Sequence, residues 1–367
     1  MQIILTGATG TLGSQLLFYL LEGRFSDLKR LYLLVRKKKN ATPAERIAKM
    51  LSSATVPEFI KQKRALIEEK IEVVDATHMT SPQRFLNPKD SYYFIHSAGY
   101  VNLSVDPQSK ETIFQENLSV TQRIFEAYAP YLKKFIYIST AFSVGKQQGL
   151  LKNNYGAITQ KEFRNFYEAS KHAAENYLVT EGATRDISIQ ILRPSVLGGN
   201  ILDKPIFFIS KYMVFYLFAK FFHRHTSSDT IRIHAHADSK LNIIPTDYAA
   251  KVITKVFDTD LKELNIVNSK GTNIRNGITK ILETVDFKNF KITQEIIDVA
   301  HGFESSLEQF YYETIGVHLT PYLTSIPQEW DTSLLESILP LPKYNLEEYL
   351  VATVAFAKAN GFRNQRW

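Results

Sequence analysis

Tyr167 and Lys171 stand four residues apart in the string Tyr-Glu-Ala-Ser-Lys. On a helix that spacing puts both on one face. Such a pair suits carbonyl chemistry, because a positive Lys171 favours the Tyr167 phenolate and lets the phenol exchange protons near neutrality. Spacing alone is weak evidence, since Tyr216 and Lys220 share it. Context separates the two pairs. Only Tyr167 and Lys171 follow a strand ending Tyr137-Ile138-Ser139-Thr140-Ala141 and open a helix that packs back onto a sheet, whereas Tyr216 lies in an aromatic run and reads as a core or pocket residue. Thr140 is expected to give its hydroxyl to a substrate oxygen as negative charge develops there. Asn117, near the start of a helix expected to begin about Phe114, either bonds Lys171 through water or caps that helix.

A second set opens the chain: Thr6-Gly7-Ala8-Thr9-Gly10-Thr11-Leu12-Gly13, entered from the apolar run Ile3-Ile4-Leu5 and left into a helix carrying Leu12, Leu16, Leu17, Leu20 and Leu21. Strand, spaced glycines, then helix is the context that marks a dinucleotide site. Gly7 allows the tight turn, Gly10 lets backbone N–H groups approach a pyrophosphate, and Gly13 lets helix and strand pack closely. The pyrophosphate then sits on the positive end of the helix, with Thr6, Thr9, Thr11 and Leu12 in the same turn. The second strand ends in Arg36-Lys37-Lys38-Lys39, four cations where an NAD site carries an acid. An arginine there favours a 2′-phosphate, so NADPH is expected over NADH, with Arg36 at the phosphate and Arg46 as a second candidate. Asp75, closing the third strand beside Ala76, is expected to accept from the adenine amino group. Ser97 and Ala98 close the fourth strand and line the cofactor's other side. Ser139, Pro194 and Val196 are assigned to the same site, and Lys171 to the nicotinamide ribose.

These residues need a scaffold, and the first two-thirds of the chain supplies one by alternation. Strands are expected at Gln2–Leu5, Leu31–Val35, Ile71–Val74, Tyr92–His96, Phe135–Ser139 and Ser188–Leu192. Helices are expected at Thr11–Glu22, Pro43–Ser53, Pro57–Lys70, Ile113–Tyr131 and Glu162–Glu181. That alternation means a Rossmann-like α/β fold, a doubly wound parallel sheet with right-handed crossovers. A return to the sheet is expected near Leu241–Ile244 and Leu264–Val267. The reading divides the chain into an NADP-binding Rossmann-like domain at 1–270, with substrate-pocket insertions about 195–240, and a smaller, mostly helical cap at 271–367.

Composition narrows the chemistry. With no cysteine in 367 residues, disulfides, Cys-ligated zinc, iron–sulfur clusters and thiol catalysis are excluded. His223, His225, His234 and His236 lack a nearby set of acids and read as solvated strand and loop, so no metal is expected. The net charge of +7 fits an anionic cofactor or substrate, and much of it gathers at Arg36–Lys39 and Arg46, so no nucleic acid is expected as partner. The apolar stretch Ile206–Phe222, interrupted by Lys211 and Lys220, is too short for a membrane span and either lines a pocket, forms an ordinary buried helix or touches a membrane surface. No secretory signal is expected, and the reading is cytoplasmic.

Taken together, the motifs resemble the extended short-chain dehydrogenase/reductase superfamily over about residues 1–270: Thr-Gly-x-x-Gly-x-x-Gly at 6–13, His-x-Ala at 96–98, Asn117, Ser-Thr-Ala at 139–141, Tyr-x-x-x-Lys at 167–171 and Leu-Arg-Pro at 192–194. Within it, Leu34-Val35-Arg36, Ala44-Glu45-Arg46-Ile47, His96-Ser97-Ala98-Gly99-Tyr100-Val101-Asn102 and Asn242-Ile243-Ile244-Pro245-Thr246-Asp247-Tyr248 resemble the thioester reductase and fatty acyl-CoA reductase branch, the one with the male sterility NAD-binding domain. The tail Pro321-Tyr322-Leu323 and Trp330-Asp331-Thr332 is similar to the C-terminal part of fatty acyl-CoA reductases. The chain departs from the branch at Gly99, where a second alanine is usual, and at Val196-Leu197-Gly198-Gly199. The resemblance implies NADPH-dependent reduction of an acyl thioester on CoA or an acyl carrier protein, to aldehyde or alcohol, with a Thr-Tyr-Lys triad. Without a cysteine it proceeds by direct hydride transfer. A nucleotide-sugar epimerase, dehydratase or reductase shares the fold and triad, as does a hydroxysteroid-type dehydrogenase. A non-catalytic NADP sensor or scaffold would not need the intact triad.

Overall fold

The computed structural model describes residues 1–156, 162–225 and 228–367. Seven parallel strands form the central sheet: β1 (Gln2–Thr6), β2 (Arg30–Val35), β3 (Ile71–Asp75), β4 (Tyr92–His96), β5 (Leu132–Ile138), β6 (Ser188–Pro194) and β7 (Glu263–Ile266). Their spatial order is β7-β6-β5-β4-β1-β2-β3. The order reverses between β1 and β4, which pair Thr6 against His96, and such a switch point opens a crevice at the carboxyl ends of the strands. Both strands are buried along their whole length, which is why they read as continuous apolar runs rather than alternating ones.

Helices cover both faces. Thr11–Gly23 and Thr246–Val256 pack Leu16, Leu20 and Ile253 into one core, and Val120–Tyr128 and Phe166–Arg185 pack Ile124, Phe125 and Leu178 into the other. A third apolar cluster joins Phe218 and Phe222 of helix Phe215–Arg224 to Ile278, Tyr311 and Leu350. Residues beyond 271 serve more than one cluster, since Leu335 and Trp367 belong to the sheet core, and Glu329–Trp330 pairs with Leu150–Leu151.

The helix expected at Glu162–Glu181 spans Phe166–Arg185 and the strand expected at Phe135–Ser139 spans Leu132–Ile138, and three further elements depart from expectation. Pro57–Lys70 is two helices, Glu58–Gln62 and Arg64–Lys70, broken at Lys63, whose ammonium sits over the rings of Phe25 and Phe59 at 4.9 and 5.0 Å. The helix expected at Ile113 starts at Pro107, capped by Asp106, and passes through a π-helical turn at Gln115–Ser119. Leu241–Ile244 does not return to the sheet. Lys240–Leu241 pairs with Thr272–Asn273 and Ile243–Pro245 with Val196–Gly198, and the Asn242 side chain between them bonds the backbone of Asn268 at 2.7 and 3.1 Å. Among the described residues, no helix is long and apolar enough to cross a membrane.

Candidate active site

A cavity of about 440 Å3 opens where β1, β4, β5 and β6 end. Gly10, Thr11, Leu12, Gly13, Ser97, Ser139, Thr140, Tyr167, Lys171, Pro194 and Val196 all line it. Its wall continues through Phe215, Phe218, Ile274, Ile278, Ile281, Leu319 and Leu323 into the third apolar cluster. The run Ile206–Phe222 is therefore divided: Met213, Val214, Phe215 and Phe218 face the cavity, whereas Tyr216 and Phe222 are core.

The glycine turn has the shape a dinucleotide needs. Gly7 holds φ at +74°, where L side chains are strained, and a Cβ on Gly13 would lie 2.0 Å from the Gly7 carbonyl oxygen. Gly10 caps the helix Thr11–Gly23 without a side-chain hydrogen bond and no acid occupies the first turn. Its leading N–H groups thus have no side-chain partner, and the residues that carry them line the cavity, an arrangement that suits an anion. Thr6 supports the turn from below, accepting from the Ala98 N–H at 3.1 Å and meeting His96 Nδ1 at 2.7 Å. Because the Thr121 hydroxyl donates to the Asn117 carbonyl at 2.6 Å, it can only accept from His96 Nε2, so the imidazole carries its proton there. Burial, and then the charge of Lys171, hold this ring neutral with its pKa lowered to about 3.

The two arginines expected at the 2′-phosphate differ in burial. Arg36, expected at the 2′-phosphate, has a side chain 81% exposed and approaches Glu116 at 4.0 Å. Arg46 is the buried one: its guanidinium donates to Thr9 Oγ1 at 2.8 Å, to the Arg36 carbonyl at 2.5 Å and to a main-chain oxygen of Trp367 at 3.0 Å. The glycine cradle and the bare helix end fit the pyrophosphate of a dinucleotide, and Arg46 is bonded to the same loop through Thr9. Asp75 and Ala76 lie at the end of β3, off the cavity wall, where Asp75 accepts from the Thr77 N–H at 2.9 Å.

Tyr167 and Lys171 share the cavity face of helix Phe166–Arg185, as their spacing requires. Lys171 does not lower the Tyr167 phenol. Its Nζ donates to the Ile138 carbonyl at 2.7 Å and lies 4.1 Å from the Tyr137 ring centroid. Burial lowers Lys171 to about 7, opposed by Glu175, while burial and the Glu168 carboxylate hold the Tyr167 phenol above its usual range. Ser139 gives its hydroxyl to Glu175, which also accepts from Ser143 at 2.6 Å and from Arg193 at 2.6 and 3.0 Å, so Ser139 meets the cavity with its side chain already engaged. Burial alone would raise Glu175, but Arg193 and these hydroxyls hold it below the usual carboxylate range. Asn117 neither caps a helix nor lines the cavity: it lies in the π-helical turn and clamps Tyr100, accepting its N–H at 2.8 Å and donating to its carbonyl at 3.0 Å, with a further bond to Ser170 at 3.0 Å.

Several wall residues carry no motif. Arg164, buried on the cavity wall, pairs with Glu168 at 3.3 Å and donates to Gln328 at 3.1 Å. Asn165, the cap of helix Phe166–Arg185, donates to Tyr322 at 2.8 Å. The string Pro321-Tyr322-Leu323 is the only sequence feature that points toward this contact; nothing local marks Arg164, Lys211 or Gln328.

Residues 5–253 match the family described as male sterility protein, a NAD-binding family. The chain belongs to that family. Among curated relatives, fatty acyl-CoA reductase 2 of Bos taurus is 27% identical over 231 residues, covering 54% of the chain and 43% of that protein. Fatty acyl-CoA reductase 1 of Mus musculus is 26% identical over 228 residues, with the same coverage of 54% and 43%. The match therefore spans less than half the length of these relatives. Two solved structures share the fold. The terminal R domain of the myxalamid PKS-NRPS biosynthetic pathway superposes with a TM-score of 0.66 at 20% identity, covering 99% of this chain and 91% of that one. UDP-glucuronic acid 4-epimerase from Bacillus cereus, in complex with NAD, gives 0.61 at 17% identity, covering 98% and 97%.

Proposed function

We propose that the protein reduces an acyl thioester, carried on CoA or on a carrier-protein pantetheine, with NADPH as the hydride source. The observation that supports this most is the composition of one cavity: a glycine cradle, Thr140, Tyr167 and Lys171 at one end, and a wall of Phe215, Phe218, Ile278 and Leu323 at the other. An apolar wall of that kind suits an acyl chain and gives a sugar diphosphate little to bond. In this reading residues 1–270 carry the cofactor, and 271–367 together with about 195–240 form the substrate cap.

A bound NADPH supplies the hydride. Thr140 and Tyr167 donate to the thioester oxygen as it becomes an oxyanion, and a phenol held above its usual pKa stays protonated for that role. Collapse of the tetrahedral species breaks the carbon–sulfur bond, releasing thiol and leaving an aldehyde. Lys171 holds the ribose, Arg46 the 2′-phosphate, and Asn117 orients the Gly99–Tyr100 backbone beside them. The NADPH preference is carried by Arg46 rather than Arg36, since Arg46 is the cation bonded to the glycine loop through Thr9.

The test is NADPH consumption by purified protein with acyl-CoAs of several chain lengths, run beside UDP-sugars. Turnover with acyl-CoA is expected. NADPH consumption confined to a UDP-sugar, or conversion of the UDP-sugar without NADPH consumption, would replace this proposal with the nucleotide-sugar reductase or epimerase reading.

A further inference from the structure

The cavity has an open end and a closed end, and burial tells them apart. Val101, Met213 and Ile326 line it while 42%, 36% and 52% exposed, so they mark where it meets solvent. Phe218, Ile278 and Ile281 line it as well, yet none is more than 3% exposed.

Helix Ile274–Thr284 runs between the reacting groups and that closed end. Ile274, Ile278 and Ile281, at spacings of four and three, share the face that lines the cavity. Strand register ties the first turn of this helix to the end that holds Thr140. Thr272–Asn273, just before the helix, pairs with Lys240–Leu241, and two residues on Ile243 pairs with Val196, which follows the Pro194 that ends β6. Beside β6, the Ser139 N–H donates to the Leu192 carbonyl at 2.8 Å, one residue before Thr140. Ile281 lies seven residues beyond Ile274, about 10 Å farther along the helix axis.

At that far end the molecule is filled with rings. The Phe287 N–H donates to the Leu282 carbonyl at 2.9 Å, which folds Phe287 back onto the end of the helix. Phe222 meets Phe287 at 4.7 Å, Phe218 at 4.9 Å and Tyr311 at 5.2 Å between ring centroids. Phe222, Phe287 and Tyr311 do not line the cavity, so Phe218 and Ile281 are its last residues before packed core.

We infer that the acyl chain lies along helix Ile274–Thr284 with its methyl end against Phe218 and Ile281, and that these two residues set the longest chain the site accepts. The inference rests on the acyl thioester reading above. It names the ligand as a straight, unsubstituted alkyl chain. Phe218, Ile278, Ile281 and Leu319 offer no polar side chain, so an ω-hydroxyl or ω-carboxyl placed there is buried without a partner.

The experiment is kcat/KM, followed by NADPH consumption, with CoA thioesters of straight chains from butanoyl to stearoyl and with ω-carboxy analogues. Wild type is compared with Phe218→Ala, Ile281→Ala, Ile281→Phe and Ile274→Ala. In wild type, kcat/KM is expected to rise about fourfold for each carbon added along the wall and to fall once the chain passes Phe218 and Ile281. Phe218→Ala and Ile281→Ala are expected to move the optimum about two carbons longer, Ile281→Phe to move it shorter, and Ile274→Ala to lower kcat/KM without moving it. An ω-carboxyl at the optimal length is expected to cost about tenfold or more. Destabilisation cannot move an optimum in opposite directions, so the truncating and filling variants are read together. Where a truncation fails to fold, Phe218→Leu and Ile281→Val carry the same expectation with a smaller shift. The inference is overturned by an optimum that none of the variants moves, by one that Ile274→Ala moves as far as Ile281→Ala, or by equal use of ω-carboxy chains. Those results with acyl thioesters still turned over defeat only this inference, whereas no turnover with any of them defeats the thioester reading as well.

Discussion

Burial keeps the Tyr167 phenol protonated and brings Lys171 down to about 7, so near neutrality a proton donor stands beside a lysine balanced between its charged and neutral forms. Removing the donor tests the first half. Tyr167→Phe is expected to lower kcat by about 100-fold or more, the usual scale for a general acid, while the Kd for NADPH stays within about threefold of wild type. Equal loss of turnover and of cofactor binding would mean that Tyr167 holds the nucleotide rather than the reacting oxygen. Lys171 makes a prediction about pH. Between about 7 in the folded chain and about 10.5 when unfolded, the unfolded state binds the extra proton, so the cost of burying this lysine falls as pH rises through that window. The ligand-free protein should therefore gain melting temperature from about pH 6 to about pH 9 relative to Lys171→Met. Lys134, lowered to about 8, is present in both proteins and cancels from the difference. Parallel curves for the two proteins would show that Lys171 is not desolvated as the fold implies.

The glycine turn is the element on which cofactor binding depends in the proposed function, and its shape is set by distance rather than by propensity. A Cβ at Gly13 would meet the Gly7 carbonyl oxygen at 2.0 Å, and backbone cannot swing aside as a side chain can. Gly13→Ala is expected to cost about 1–3 kcal/mol of stability and to abolish measurable NADPH binding. Gly23→Ala in the same helix, exposed and with its nearest contact at 3.9 Å, should be neutral or slightly stabilising. Calorimetry and cofactor titration on both variants check this, and similar behaviour of the two would remove the steric argument. This turn was legible because it is local: a run of buried residues, three glycines and a leucine face all fall within twenty residues. The same holds for the parallel strands, whose burial on both faces writes itself as unbroken apolar runs, and for the shared face of Tyr167 and Lys171. Asn117 was legible as a position but not as a role, because its partner Tyr100 comes from a loop and its turn is π-helical. Arg36 and Arg46 could not be ordered from composition, since which of two arginines turns inward is decided by Thr9 and Trp367, the latter 321 residues beyond Arg46.

At the scale of the whole molecule, the residues beyond 271 are joined to the sheet and its helices by polar contacts beside helix Phe166–Arg185 as well as by apolar packing. Gln328 is the centre of one such joint. Its side-chain amide donates to the carbonyls of Gly145 and Gln147 at 2.8 and 3.0 Å, while its oxygen accepts from Arg164, the buried partner of Glu168 at the start of that helix. Residue 328 has no local signature because every one of these partners lies more than 160 positions earlier in the chain. Gln328→Leu keeps the volume and removes the bonds, leaving the Gly145 carbonyl and one Arg164 N–H with fewer partners inside the protein. Each buried group so deprived costs about 1–3 kcal/mol, enough to lower the melting temperature by several degrees without unfolding a chain of this size. Gln328, Tyr322 and Trp330 all line the cavity, where the rings of Tyr322 and Trp330 pack against Phe142 at 5.8 and 6.3 Å, whereas Arg46 is bonded to the glycine loop through Thr9. The joint should therefore govern the substrate and not the nucleotide: KM for acyl-CoA is expected to rise several-fold in Gln328→Leu with the Kd for NADPH unchanged. A parallel rise in both constants would show that loosening this joint also disturbs the glycine turn, and that cap and cofactor site respond as one unit.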